Sequence, residues 1–122
     1  MMVQTQAVEF FIRQGDTFNP RFYLRDRDGN AVDPTGMSFE FRVIQTLGSK
    51  DVTLALTSAD GDIVVAYDAD EQLHYAQPVI SSSATAAMST GRYQTLFRIT
   101  DSAGIKGTGA AGPLHISREI DR

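Results

Sequence analysis

Met37-Ser38-Phe39-Glu40-Phe41-Arg42-Val43 puts an apolar residue at every odd position and a polar or charged one at every even position. Side chains alternate across a strand, so this period of two describes a strand with one buried face and one wet face. A helix would turn Phe39 away from Phe41 and leave neither face apolar. The same alternation extends outward in both directions. Towards the N-terminus, Val8, Phe10 and Ile12 alternate with Glu9, Phe11 and Arg13. Phe18, Phe22 and Leu24 share a face opposite Thr17, Asn19, Arg21, Tyr23 and Arg25, and Pro20 within that run suits an edge strand or a bulge. Towards the C-terminus come Val52, Leu54 and Leu56, then Ile63 to Tyr67, then Leu73 and Tyr75 with Val79 continuing their face. Tyr93, Thr95, Phe97 and Ile99 stand opposite Gln94, Leu96 and Arg98, and Ile105 to Ile120 returns as a last strand.

Turn residues punctuate these runs. Asp26-Arg27-Asp28-Gly29-Asn30 predicts a turn with Gly29 at positive φ, and Ser58 to Asp62, Asp68 to Glu71 and Asp101 to Gly104 close others. Ser81 to Met88 is the one helical stretch expected, with Ser81 to Ser83 as candidate N-caps and Gly91 beyond its end. Seven to nine short antiparallel strands with one short helical turn near residues 81–88 predict an all-β sandwich, with a closed barrel as the alternative. Phe39, Phe41, Tyr93 and Phe97 are its expected core. The 122 residues predict one domain over 1–122, with 1–7 as an N-terminal extension.

Composition narrows function mainly by exclusion. A formal net charge of −4 argues against a protein that binds nucleic acid by neutralising phosphates. The absence of cysteine excludes disulfides, thiolate nucleophiles and thiolate metal sites. The longest apolar run, Ile63 to Tyr67, falls far short of the ~20 residues that span a bilayer. The first residues carry no basic, apolar signal-peptide pattern, so the expected site of synthesis is the cytoplasm, with no membrane partner.

Chemistry-bearing motifs do not assemble. Gly107-Thr108-Gly109-Ala110-Ala111-Gly112 has the glycine spacing of a dinucleotide fingerprint, but Pro113-Leu114-His115-Ile116 follows as strand. The fingerprint needs a helix there to receive the pyrophosphate. The acidic turns at Asp26/Asp28, Asp60/Asp62 and Asp68/Asp70/Glu71 lack the EF-hand layout and read as turn carboxylates, with calcium as the alternative. His74 and His115 are too few for a multi-histidine metal centre, and no G-x-S-x-G elbow is present. The expectation is a non-enzymatic protein with no cofactor, metal or small-molecule substrate.

A binding surface is the better expectation. Arginine outnumbers lysine by nine to two, and Arg21, Arg25, Arg42 and Arg98 lie opposite the apolar faces of their strands. Arginine keeps its hydrogen bonds when desolvated, which suits interfaces. Phe11, Tyr23 and Leu96 share the outward set and complete a candidate contact surface. Gly107, Gly109 and Gly112 add a segment that either orders against a neighbouring subunit near a sheet edge or forms an internal β-bulge.

The order of the marks resembles a known family. Gly15-Asp16 opens a strand that Asp26-x-Asp28-Gly29 closes, and Val32-Asp33-Pro34-Thr35-Gly36 precedes the strand with alternating aromatics. Gly61-x-Ile63, Ala84-Thr85-Ala86-Ala87 leading to Gly91-x-Tyr93, and Asp101-Ser102-x-Gly104 follow in order. Together they resemble the immunoglobulin-like domain at the N-terminus of tailed-phage baseplate upper proteins and in short phage structural proteins. The resemblance implies a sandwich that binds other virion proteins, and copies of itself, in a tail, baseplate or neck. With the sequence ending at Arg122, a standalone adaptor is favoured over a fibre carrier. A capsid decoration or head-fibre protein of the same fold is the alternative, and a carbohydrate-binding module a second one, lowered by the absence of Trp.

Overall fold

The alternation around Phe41 folds as an interior strand of the larger of two sheets. The structure, a computed structural model, describes residues 6–45 and 52–118. In chain order its elements are β1 (Gln6–Ala7), β2 (Phe10–Arg13), β3 (Phe22–Tyr23), β4 (Ser38–Ile44), β5 (Val52–Thr57), β6 (Ile63–Asp68) and β7 (Leu73–Pro78). Helix α1 (Ser82–Ala86), β8 (Gly91–Thr100) and β9 (Lys106–Ser117) follow. The larger sheet has the order β1-β9-β8-β4-β5, with β2 also on β9, and the smaller has the order β3-β7-β6. The chain thus crosses from β2 to the small sheet, back to β4 and β5, across to β6 and β7, and back to β8 and β9. This is an all-β sandwich of two sheets.

Register shows why the aromatic alternation succeeds. Phe41 pairs with Phe97, Phe39 with Ile99 and Val43 with Thr95, so β4 and β8 point the same faces inward. Phe39, Phe41, Tyr93 and Phe97 are all buried, as the sequence predicts. Phe97 stacks on Phe39 within its own sheet at 5.7 Å, and on Phe22 of the small sheet at 4.5 Å. That second contact, with Phe22 to Phe41 at 5.8 Å, joins the two layers. Offset aromatic pairs of this kind add to what area burial alone contributes.

Among the described residues, the N-terminal strands are the one place where direction departs from the antiparallel pattern. β1 and β2 both run parallel to β9, with Gln6 opposite Ala110 and Phe10 to Arg13 opposite Leu114 to Ser117. Alternation fixes which face a residue takes but carries no information about strand direction. Both pairings keep one register, and between them the Val8 N–H donates to the Ala111 carbonyl at 3.2 Å.

Local chemistry holds the turns. Gly29 has φ +83°, and the Asp26 carboxylate accepts from the backbone N–H of both Asp28 and Asn30 at 2.9 Å. Ser81 caps α1 by accepting from the Ala84 N–H. Within α1 the buried Thr85 hydroxyl donates to the Asp16 carbonyl at 2.6 Å and accepts from the Gly15 N–H at 3.1 Å. The short helix therefore pins the loop that leaves β2.

Candidate functional site

The predicted contact residues fall on separate surfaces. Arg42, Leu96 and Arg98 lie on the outer face of the large sheet, where Arg42 pairs with Leu96 and Glu40 with Arg98. Arg42 Nε sits 3.0 Å from Glu40 Oε1, a half-buried surface pair of small energetic weight. Phe11 is on the same face at the β2 edge and is 71% exposed. Its ring stacks on His115 at 4.6 Å with the planes 10° apart, and His115 Nε2 lies 3.0 Å from Glu9 Oε2. A shallow groove beside them is bordered by Arg13, Asp16 and Arg92.

Arg21 and Tyr23 belong to the opposite side of the molecule, the outer face of the small sheet. The Tyr23 hydroxyl donates to Asp68 Oδ2 at 2.9 Å, reaching from β3 over β7 to the end of β6. Arg21 Nη1 is 3.5 Å from the same oxygen, and its guanidinium lies 4.3 Å above the Tyr75 ring. Asp68 Oδ1 accepts from the backbone N–H groups of Asp70 and Glu71. The Tyr23 hydrogen bond, those two N–H groups and the Arg21 charge hold the Asp68 carboxyl below the usual carboxylate range. Arg21 and Tyr23 are thereby occupied in tying three strands together. Arg25 is exposed and forms an isolated bridge with Ala31 near the Asp26–Asn30 turn.

The glycines of β9 have internal reasons. The expectation that the Ile105–Ile116 backbone runs near an edge does not hold from Ala110 onward, where β9 lies between β8 and the two N-terminal strands. A Cβ at Gly109 would come within 2.7 Å of Ile99 Cδ1 and 2.8 Å of Phe97 Cδ2. One at Gly112 would overlap the Val8 carbonyl oxygen. Gly107 alone of the three faces open space, and the register shift at Phe97/Arg98 falls at Gly109, between Thr108 and Ala110, so the internal bulge is the alternative found here. No helix follows these glycines, which are part of a strand that continues to Ser117.

Sequence reasoning missed the most apolar exposed surface. Val64, Val65 and Tyr67 of β6 are 46%, 39% and 55% exposed. β6 pairs only with β7 among the described residues, so its other edge is unpaired. Val65 and Tyr67 lie on the same face as buried Ile63, whereas Val64 lies on the other. Both faces of this strand thus carry uncovered apolar side chains. The apolar run Ile63 to Tyr67 was the available signal, but a run of that kind ordinarily marks a strand buried on both faces.

The acidic turns are largely occupied by their own backbones. Asp101 accepts from the N–H groups of Ala103 and Ile105, as Asp26 and Asp68 do in their turns. Asp33 accepts from the hydroxyl and N–H of Thr35, which lower its pKa. Among the described residues, no group of three or more His, Asp or Glu side chains is placed to hold a metal ion. No helix among them is long and apolar enough to cross a membrane.

No protein-family model matches the chain, and no curated protein matches it in sequence. Among solved structures, CopC from Methylosinus trichosporium OB3b is similar over 84% of this chain and 79% of its own, with 16% identity and a TM-score of 0.40. An internalin-like protein of Listeria monocytogenes is similar over 94% of this chain but only 30% of its own, with 17% identity and a TM-score of 0.36. This chain therefore spans less than a third of the internalin-like protein. Likenesses this loose carry no argument about function.

Proposed function

We propose that the protein is a non-enzymatic structural subunit of a tailed-phage virion, an adaptor that binds neighbouring subunits in the tail, baseplate or neck. The ordered turn marks from Gly15-Asp16 to Asp101-Ser102-x-Gly104 support the setting, through their resemblance to the baseplate domain. The observation that carries the mode of action is the exposure of Val64, Val65 and Tyr67 on strand β6, whose outer edge is unpaired among the described residues. Apolar side chains gathered on an edge favour a partner, because covering them removes surface from water at about 25 cal/mol per Å². Mass spectrometry of purified particles tests the assignment: the protein is expected in fixed proportion to the other structural proteins. Its absence from washed particles overturns the virion reading.

Carbohydrate binding is favoured by one specific observation, the exposed Phe11 ring stacked on His115 beside Arg13, Asp16 and Arg92. An aromatic face with charged hydrogen-bonding neighbours suits a sugar ring. Glycan-array binding that is lost in Phe11→Ala supports this second reading, and an array with no signal removes it.

A further inference from the structure

Strand β6 lacks the proline, lysine and bulge that commonly protect a sheet edge, and its one charged residue is the terminal Asp68. Ile63–Asp68 contains no Pro, Gly or Lys, and its register with β7 runs unbroken from Ile63↔Pro78 to Asp68↔Leu73 without a bulge. Exposed edges are ordinarily blunted by such residues, because unpaired N–H and C=O groups template pairing with another chain. Val64 on one face and Val65 and Tyr67 on the other offer apolar contacts above and below any added strand. An added strand would bring alternating side chains against both.

The ends of β6 say what that strand carries. Asp60 and Asp62 precede it, Asp68 is its last residue, and Asp70 and Glu71 follow it. Of these five, Asp68 has the Arg21 guanidinium 3.5 Å away. A second copy added antiparallel would set Asp60 and Asp62 against the partner's acidic far end, and one added parallel would set like turns side by side. Either arrangement brings acid against acid, which destabilises cross-strand pairing. A strand with cations at both ends meets attraction instead.

We propose that β6 is a docking edge for an extended segment of another protein, apolar at alternate positions and bearing arginine or lysine at both ends. The proposal deepens the adaptor reading by naming the chemistry of the partner segment, and rests on that reading only for its setting. The test uses the full chain and two capped peptides of alternating valine and threonine, one flanked by arginines and the other by glutamates. Amide chemical shifts and hydrogen exchange are followed up to millimolar peptide. The expected result is binding of the arginine peptide at least tenfold tighter than the glutamate peptide, weakening with added salt, with new protection within residues 63–68. Val65→Lys together with Tyr67→Lys, both at exposed positions, is expected to abolish binding and leave the far-ultraviolet spectrum unchanged. Equal binding of the two peptides, no binding of either, protection confined to other strands, or self-association that the double variant removes would each overturn the proposal. The presence of the protein in particles is measured separately, so the docking edge and the virion assignment can fail independently.

Discussion

Replacing Gly112 with Ala tests how the N-terminal strands are attached. The new methyl would overlap the Val8 carbonyl oxygen and lie 2.7 Å from its carbon, both backbone atoms that no rotamer change can move. Gly112 cannot retreat, because its own carbonyl accepts from the buried Thr95 hydroxyl at 2.8 Å. The Val8 segment must therefore shift and lose the hydrogen bond from its N–H to Ala111. One net hydrogen bond is worth about 1 kcal/mol, and overpacking against a fixed neighbour costs about 1–3 kcal/mol more. A loss of about 2–4 kcal/mol follows, which for a domain of this size lowers Tm by roughly 8–16 °C. Urea unfolding followed by circular dichroism measures it, with Gly107→Ala as the control in the same strand. A Cβ at Gly107 meets nothing within 4 Å, so that variant is expected to match or slightly exceed the parent. Gly112→Ala within about 0.5 kcal/mol of the parent would refute the close-approach argument. Equal losses in both variants would point to a general need for glycine in β9 instead.

Phe97→Ala removes a ring packed between Phe39 and Phe22 at 1% exposure and is expected to cost about 3–5 kcal/mol in urea unfolding. Thr85→Val keeps the shape but orphans the Gly15 N–H and Asp16 carbonyl, so a loss of about 1–3 kcal/mol is expected, with faster amide exchange at Gly15. Gly29→Val forces a β-branched residue to φ +83° and should destabilise more than Asn30→Ala, compared by thermal melts. Asp68 has a folded pKa below its unfolded value, so its contribution is present above the unfolded carboxylate range and is lost as pH falls through the folded pKa. Asp68→Asn is therefore expected to narrow its stability gap from the parent as the pH drops below about 4, measured by melts at stepped pH.

The sequence makes the two sheets legible because their inward faces alternate over whole strands. Phe39, Phe41 and Val43 facing Thr95, Phe97 and Ile99 leave little freedom in register. Gly29 is legible for a local reason, since its turn needs a left-handed residue flanked by side chains that hydrogen-bond the backbone. What alternation cannot report is who covers a face. Val65 and Tyr67 share their face with Ile63, yet only Ile63 is buried. Tyr75 is buried from the opposite side, under Arg21 and beside Tyr23, contacts between residues more than fifty positions apart. Val79, expected to extend the face of Leu73 and Tyr75, lies beyond the end of β7 and is 41% exposed. The outward arginines were readable as outward but not as a single surface, because Arg21 and Arg98 belong to different sheets. The glycines of β9 suggested freedom, whereas at Gly109 and Gly112 they answer contacts with Phe97, Ile99 and Val8 that sequence spacing does not reveal.

The parallel pairing of β2 with β9 also has a mechanical consequence. Tension applied through the chain on either side of residues 6–118 pulls β2 from its start and β9 from its end. In a parallel pair those are opposite ends of the ladder, so the load runs along the strands rather than peeling them apart. The pairings from Phe10↔Leu114 to Arg13↔Ser117, continued by the Gln14 N–H on the Ser117 carbonyl, must then yield together. Evenly spaced, slanted bonds share such a load, and the force needed is set by the unfolding barrier rather than by equilibrium stability. A hairpin pulled from its open end would give way one pair at a time. The strands that close the sandwich therefore also serve as its tensile lock.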